Sequence, residues 1–309
     1  MNPAQMDLES VAAARVVECY GRRAIVQLSS GERRPAVVFG KRTEIVCGDR
    51  VQVRTHTGSD ELQVVEVMPR STVFTRTDSR GRIETLAANL SLIAVVFAPQ
   101  PTPDFYIVDR YLAGAAYAGL KTLVILNKID LDAPEHALLK EYRDAGYQTL
   151  TLGAKSGVGV ESLRNLVGGE TFLLAGQSGV GKSTLTNALL PLSMRPTRDL
   201  SIVSGEGRHT TVSSALFELP PEIGGALIDS PGVRDYAPPP LDDNKVQVGW
   251  PEILQRAPQC RFNDCLHLRE PGCAVLAAVE SENISTRRYE SYKRLLNIMR
   301  GLLPSHERN

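Results

Sequence analysis

The sequence has no apolar run approaching the roughly 20 residues that a membrane-spanning helix requires, which argues against a helical membrane anchor. Its first residues are polar and acidic. No basic stretch followed by an apolar one is present there, so no secretory signal is visible and a cytoplasmic protein is expected. It also lacks a net charge, since 35 basic side chains balance 35 acidic ones. The two flanks are mildly basic and the middle slightly acidic, too little for charge alone to point to nucleic acid. Cysteine is scarce and odd in number, at five. Three of the five crowd near the C-terminus, and without a signal peptide such clustering favours a metal over disulfides. Cys19 and Cys47 stand apart and read as small buried apolar residues. What is present is ordinary for a globular chain: 309 residues, 42% hydrophobic and 23% charged, enough for two or three domains.

Residues 11–70 read as five short strands, at 14–19, 24–28, 35–39, 50–54 and 62–67. Several alternate apolar and polar residues, and glycine turns separate them. Five strands in so short a span suggest a small closed barrel of the OB type, although an SH3-like barrel fits the same count. Residues 71–88 are rich in Arg, Ser, Thr and Gly and suit a linker. Beyond them the signature changes. Apolar runs at 92–97, 122–126, 148–152, 171–175 and 225–228 alternate with helical spacing over 105–120, 137–145, 160–166 and 183–190. That alternation implies a mostly parallel sheet covered on both faces. The prolines at 238–240 break regular structure. The expected organisation is therefore a barrel over 1–75, an α/β domain over 76–245 and a helical domain over 246–309.

Two motifs carry the chemistry, and their order is unusual. Gly176-Gln177-Ser178-Gly179-Val180-Gly181-Lys182-Ser183 fits the phosphate-binding pattern G-x-x-x-x-G-K-[ST], with an apolar strand before it and a helix after it. Glycines there let backbone N–H groups curl around phosphate oxygens, and the helix N-terminus adds a favourable dipole. Lys182 is expected on the terminal phosphates and the Ser183 hydroxyl on Mg²⁺, with Thr184 completing the nucleotide contacts. Asn127-Lys128-Ile129-Asp130 reads as the guanine-selecting N-K-x-D, yet it comes first. If both serve one nucleotide, the sheet has been cut and rejoined by circular permutation.

The Asp130 carboxylate can accept two hydrogen bonds, from guanine N1–H and the 2-amino group, and adenine offers no such pair. Asn127 and Lys128 brace the base and the neighbouring loops. The same four residues would also suit a plain strand-end turn. Gly153-Ala154-Lys155-Ser156 supports the nucleotide reading, because it resembles the S-A-K loop behind a guanine, with Gly153 where Ser is usual. The Ala154 N–H and Lys155 are expected near the base. Asp229-Ser230-Pro231-Gly232 follows an apolar strand; there Asp229 suits Mg²⁺ and the Gly232 N–H suits the γ-phosphate, although DSPG is also a good turn. Between these lies Gly207-Arg208-His209-Thr210-Thr211. Thr210 or Thr211 can complete the Mg²⁺ shell, with Thr211 taken as the ligand. Val233 stands where a water-orienting glutamine is common and has no hydrogen-bonding atom, so His209 is the candidate catalytic residue. Its alternative role is a surface histidine.

Near the C-terminus, Cys260, Cys265, His267 and Cys273 offer three thiols and an imidazole, enough for a closed tetrahedral Zn²⁺ site of structural type. The last helix, over 282–303, places Tyr289, Tyr292, Leu295, Leu296, Met299 and Leu302 on one face. Arg287, Arg288, Lys293, Arg294 and Arg300 are expected on a solvated face.

Together these residues resemble the bacterial ribosome small subunit-dependent GTPase A (RsgA) family. The likeness covers nearly the whole chain: Gly48-Asp49-Arg50-Val51 in the barrel, the permuted order of NKID, GAKSG, GQSGVGKST, GRHTT and DSPGVR, and the segment CRFNDCLHLREPGC. The resemblance implies an OB barrel, a permuted GTPase core and a zinc-bearing helical domain. It further implies GTP hydrolysis late in small-subunit maturation, stimulated by the subunit, with GTP or GDP, the subunit and its rRNA as partners. No membrane is expected, and a monomer is. Another class fits the same residues, an RNA-binding scaffold that senses the nucleotide without useful turnover. An ATPase is disfavoured by NKID.

Overall fold

The structure, a computed structural model, describes residues 11–38, 44–55, 60–78, 80–131, 135–191, 214–230 and 236–302. Five strands open the chain: β1 (Ala12–Tyr20), β2 (Arg23–Leu28), β3 (Arg33–Val38), β4 (Arg50–Thr55) and β5 (Leu62–Val67). They pair in the order β1-β2-β3-β5-β4, and a β1–β4 ladder closes the ring, with β3 and β5 parallel. This is a five-stranded barrel with OB connectivity, as expected. Its interior is lined by small and β-branched residues such as Ala14, Val16, Val26, Val51 and Val64, which suit a narrow lumen. A register shift on β1 between Val16 and Glu18 adds a bulge. Two adjacent valines are thereby buried in different cores, Val16 inside the barrel and Val17 under the central sheet.

Residues 71–88 are not a linker. They form an antiparallel hairpin, β6 (Val73–Thr77) with β7 (Ile83–Ala88), closed by Asp78, whose carboxylate accepts from the Arg80 and Arg82 backbone amides. The burial of Phe74, Leu86, Ala87 and Ala88 holds the hairpin on the core. One phenylalanine and a short Leu-Ala-Ala run at the end of an otherwise polar stretch escape a compositional reading. The hairpin is also wedged against the barrel. A Cβ at Gly48 (φ 92°) would lie 2.1 Å from the Ala88 carbonyl oxygen, which is why that turn takes glycine. Asp49 beside it is fully buried and ion-paired with Arg70 at 2.8 Å.

The central sheet uses β8 (Leu92–Phe97), β9 (Lys121–Leu126), β10 (Gln148–Thr151), β11 (Thr171–Ala175), β12 (Ser214–Glu218) and β13 (Ala226–Asp229). Their order is β10-β9-β8-β11-β13-β12, all parallel except β12, and β12 continues onto β1 of the barrel through Glu18↔Ala215 and Cys19↔Ser214. Helices α1 (Phe105–Tyr117) and α2 (Glu135–Asp144) cover one face; α3 (Val160–Val167) and α4 (Lys182–Leu189) cover the other. The fully buried strand β8 therefore reads as an unbroken apolar run. The antiparallel β12 had no counterpart in the sequence reading, because Ser-Ala-Leu-Phe-Glu is short and only part-buried.

After the prolines come α5 (Asp243–Val246), α6 (Pro251–Arg256), α7 (Ala274–Glu280) and α8 (Thr286–Leu302), packed around Trp250, Tyr289, Tyr292, Leu295, Leu296 and Met299. The apolar face of α8 is as its spacing predicts through Met299, but Leu302, expected on that face, is exposed at the last turn of the helix. Its basic face is not simply solvated: Arg288 is 1% exposed. Its guanidinium donates to Asp109 of α1 at 2.7 Å and to Glu252 of α6, and it lies over the Tyr142 and Tyr147 rings. Arg287 reaches the other Asp109 oxygen at 2.8 Å and also Glu141 of α2. Removing one partner of so buried a pair typically costs about 3–5 kcal/mol, because the other charge is left uncompensated. The C-terminal lobe is thus locked to the sheet domain. Among the described residues no helix is long and apolar enough to cross a membrane.

Candidate guanine-nucleotide site and metal cluster

Parallel strands direct their carboxyl ends, and the loops that follow, to one edge of the sheet, where α/β proteins hold ligands. The loops after β8, β9, β10 and β11 and the carboxyl end of β13 all lie there. The phosphate-loop strand β11 sits between β8 and β13, so Asp229 at the end of β13 flanks the phosphate loop directly.

The phosphate loop needs its glycines. Gly176, Gly179 and Gly181 have φ of 134°, 81° and 98°. A Cβ at Gly176 would meet the Val96 carbonyl oxygen at 2.0 Å, and one at Gly181 would meet Asn127 Nδ2 at 2.3 Å. Helix α4 begins at Lys182 with no side-chain cap, so its first amides face the loop and favour an anion. Lys182 Nζ curls back to donate to the Gly176 and Gln177 carbonyls at 2.7 and 2.8 Å. Ser183 and Thr184 are exposed at the helix mouth.

Asn127 joins the two separated motifs. It is 1% exposed; its Nδ2 donates to the Val180 carbonyl at 2.9 Å, and its Oδ1 accepts from the Ala154 amide at 3.0 Å. One side chain thus holds the NKID turn, the phosphate loop and the Gly153–Ser156 turn together. The Ala154 amide, read from sequence as backing the base, is here satisfied by Asn127. Lys128, in the left-handed region at φ 63°, spans the loop and donates to the Gly179 and Gln100 carbonyls at 2.8 and 2.9 Å. Asp130 and Lys155 are exposed. A Cβ at Gly153 would lie 3.5 Å from Asp130 Oδ1 and 2.5 Å from Ser156 Oγ, so glycine suits this close turn beside the carboxylate.

Two partners of the site have no motif. The Gln177 side-chain oxygen accepts from the Asp104 amide at 3.3 Å, tying the start of α1 to the phosphate loop. Ser230 of DSPG accepts from or donates to Ser214 across β12 and β13 at 3.0 Å. His209, Thr210, Thr211, Gly232 and Val233 lie outside the described residues.

The second cluster gathers Cys260, Cys265, His267 and Cys273, with all four ligand atoms within 4.8 Å of one another. His267 Nδ1 is 3.6 Å from Cys260 Sγ and 3.4 Å from Cys273 Sγ, and the two sulfurs are 3.8 Å apart. A tetrahedron with metal–sulfur bonds of about 2.3 Å has edges of about 3.8 Å, so the set has the size of a metal site. His267 Nε2 faces Gln247 Oε1 at 3.0 Å, which assigns the proton to Nε2 and leaves Nδ1 as the ligand atom. Glu270 organises the loop by accepting the Leu266, Leu268 and Arg269 amides, and the Tyr289 hydroxyl donates to the His267 carbonyl at 2.6 Å. Neither Gln247 nor Glu270 was visible as a site residue in sequence. Gln247 lies in another element, and a lone glutamate carries no pattern.

Sheet order and convergent loops define a P-loop GTPase whose chain has been circularly permuted: the base-selecting turn follows β9 and the phosphate loop follows the later β11. The RsgA GTPase family model matches residues 67–237, and the chain belongs to that family. It is 40% identical over 300 residues to a small ribosomal subunit biogenesis GTPase RsgA from Pseudomonas fluorescens, covering 94% of this chain and 86% of the relative. A protein of the same name from Pseudomonas syringae pv. tomato is 43% identical over 258 residues, covering 82% and 74%. Among solved structures, YjeQ from Thermotoga maritima superposes with a TM-score of 0.74 at 27% identity, over 94% of this chain and 99% of that one. YloQ, described as a circularly permuted GTPase, shares the fold with a TM-score of 0.70 at 20% identity, over 97% and 99%. The chain is therefore a GTP-hydrolysing enzyme by family, and such enzymes work with Mg²⁺.

Proposed function

We propose that this protein hydrolyses GTP during late maturation of the small ribosomal subunit, binding the subunit and its rRNA and being stimulated by it. The observation that carries the reading is the bridge made by Asn127, which unites permuted motifs into one guanine-nucleotide site in a chain that matches small-subunit biogenesis GTPases over almost its whole length. Cytoplasmic action as a monomer, away from membranes, is part of the same reading.

In this reading Asp130 selects the base, with Lys128, Ala154 and Lys155 around it. Backbone amides over 176–183 and the Lys182 ammonium hold the phosphates, joined by Thr184 and the Gly232 amide. Ser183, Asp229 and Thr211 supply oxygen donors suited to Mg²⁺. That ion neutralises charge building on the phosphoryl oxygens when bound. The Cys3His cluster holds one structural Zn²⁺: four soft or borderline donors at tetrahedral spacing leave no open position for catalysis.

His209 positions the attacking water, a role that Val233 cannot take. General-base or positioning groups typically contribute about 10²–10⁴-fold. With purified small subunits, His209→Ala is expected to lose stimulated turnover by roughly 10²-fold, with GTP affinity and subunit binding near parental values. Parental turnover would remove His209 from the mechanism, and weakened subunit binding would move it to the interface. A nucleotide-sensing RNA scaffold would instead show no stimulated rate in the parent.

A further inference from the structure

We propose that Arg287 of α8 is a positioning residue for the phosphate loop, and that through α1 it links docking of the C-terminal lobe to nucleotide affinity. The inference rests on the reading that a guanine nucleotide occupies the loop at 176–183.

The link is short. Gln177 is the second residue of the phosphate loop, and its side-chain Oε1 accepts from the Asp104 amide at 3.3 Å. Its own carbonyl accepts from Lys182 Nζ at 2.8 Å, so the placements of Gln177 and of the phosphate-binding lysine are joined. Asp104 is the N-cap of α1, and its carboxylate accepts from the Tyr106 and Ile107 amides. A side-chain cap of this kind satisfies the first amides and fixes the entry of the helix. The Arg287 guanidinium lies over the ring of Phe105, the first residue of α1, 5.1 Å from its centroid. It also donates to Asp109, about one turn further on, at 2.8 Å, and to Glu141 of α2. Only Phe105 and Asp104 stand between Arg287 and Gln177.

At this corner α8 and α1 meet through discrete side chains. A cavity of about 630 Å³, lined among others by Thr102, Asp104, Tyr106 and Ser291, opens between them. Arg287 spans it to Phe105 and Asp109, and Arg294 lies over the Tyr106 ring at 3.9 Å. Further along α1 the lobe is fastened by Arg288 on Asp109 and by Gly249, where a Cβ would lie 2.4 Å from Ala113 Cβ. Helix α1 is thus a strut, held by the lobe along its length and resting on the phosphate loop at its N-terminus. The loop before α1 has a second anchor, because Lys128 Nζ donates to the Gln100 and Gly179 carbonyls together. That anchor comes from the base-selecting turn and does not involve the lobe. Nucleotide binding therefore survives without the lobe, and the strut sets a factor on affinity. If undocking leaves the loop competent only part of the time, apparent affinity falls by that fraction. Couplings between sites are typically about 5–150-fold, and by reciprocity the nucleotide strengthens lobe docking by the same factor.

The test titrates GDP into the full-length protein, as parent and as Arg287→Met, Gln177→Met, their double variant, Arg300→Met and Lys182→Ala. Affinity is taken per competent site from the binding stoichiometry, so an unfolded fraction does not count. Arg300 is the control, since it pairs with Asp243 inside the lobe at 2.6 Å. Arg287→Met and Gln177→Met should each weaken GDP binding by about 10-fold. The double variant should be no weaker than the weaker single, as expected for one shared path, and Arg300→Met should bind like the parent. Hydrogen exchange adds a readout that a merely structural role would not move. The lobe can open with nucleotide still bound, so GDP slows exchange of α8 amides only through the link. Saturating GDP should slow that exchange by about 10-fold in the parent and leave it unchanged in Arg287→Met. Parental affinity in Arg287→Met, additive losses, an equal loss in Arg300→Met, or GDP protection of α8 that persists in Arg287→Met would each overturn the inference. Should Arg287→Met not fold, Arg287→Lys carries the same test, since it keeps the charge beside Asp109 but not the planar group over Phe105. Parental affinity in Lys182→Ala would instead sink the underlying site reading. Loss there with parental affinity in Arg287→Met would sink the strut alone.

Discussion

Asp130→Asn should abolish the preference for guanine nucleotides and transfer it to xanthine nucleotides. Asp130 is exposed at the base-binding turn, next to the Gly153 bend, and its backbone is placed by Asn127 and Lys128, whose own side chains are occupied on the phosphate loop. Among the described residues the carboxylate makes no hydrogen bond or ion pair, which suits the base-reading role proposed for it. Two hydrogen bonds to a charged group, at about 1.5–3 kcal/mol each, set the loss of GDP affinity on the order of 10²–10⁴-fold. The amide replaces an acceptor by a donor, which opposes the guanine amino group and suits the carbonyl of xanthine. Displacement of a fluorescent GDP analogue by GDP and by XDP measures both changes. A variant that binds GDP as tightly as the parent shows that Asp130 does not read the base.

Removing the metal is expected to unfold the C-terminal lobe while GDP binding survives. Apparent metal-coupled folding energies of about 10–16 kcal/mol exceed what a small helical lobe can replace. One Zn²⁺ per chain should be found by elemental analysis, and Cys265→Ser or His267→Ala should produce the same loss of helical signal as chelation. Burial pushes the metal-free Cys265 thiol up to about 12 and raises Cys273 as well, so these thiols are protonated at neutral pH without a metal. Metal uptake must then release protons, and affinity for the ion should fall as pH is lowered. A metal-free chain with a cooperatively folded C-terminal lobe would contradict this account.

Much of the site was legible in the sequence because its signals are local. A phosphate loop is a run of contiguous residues whose glycines answer to φ and to close backbone neighbours, and NKID and the Cys3His spacing are equally compact. The barrel strands were legible through alternation. What escaped depends on contacts from afar. The hairpin over Val73–Ala88 is polar in composition, and only the barrel turn at Gly48 and the Tyr236 ring explain why its few apolar residues are buried. Arg288 stands at a polar position of α8, yet Asp109 and Glu252 from two other helices cover it. No periodicity on α8 reports a carboxylate on α1. Gln247, which fixes the His267 tautomer, is likewise set by the meeting of two elements rather than by spacing.

The most direct test of the account is steady-state GTP hydrolysis by the full-length protein with and without purified small ribosomal subunits, with large subunits as the control. The account predicts a low intrinsic rate that rises with small-subunit concentration to saturation, that is unaffected by large subunits, and that is not competed by ATP. A rate indifferent to the small subunit, or hydrolysis of ATP as fast as GTP, would contradict it.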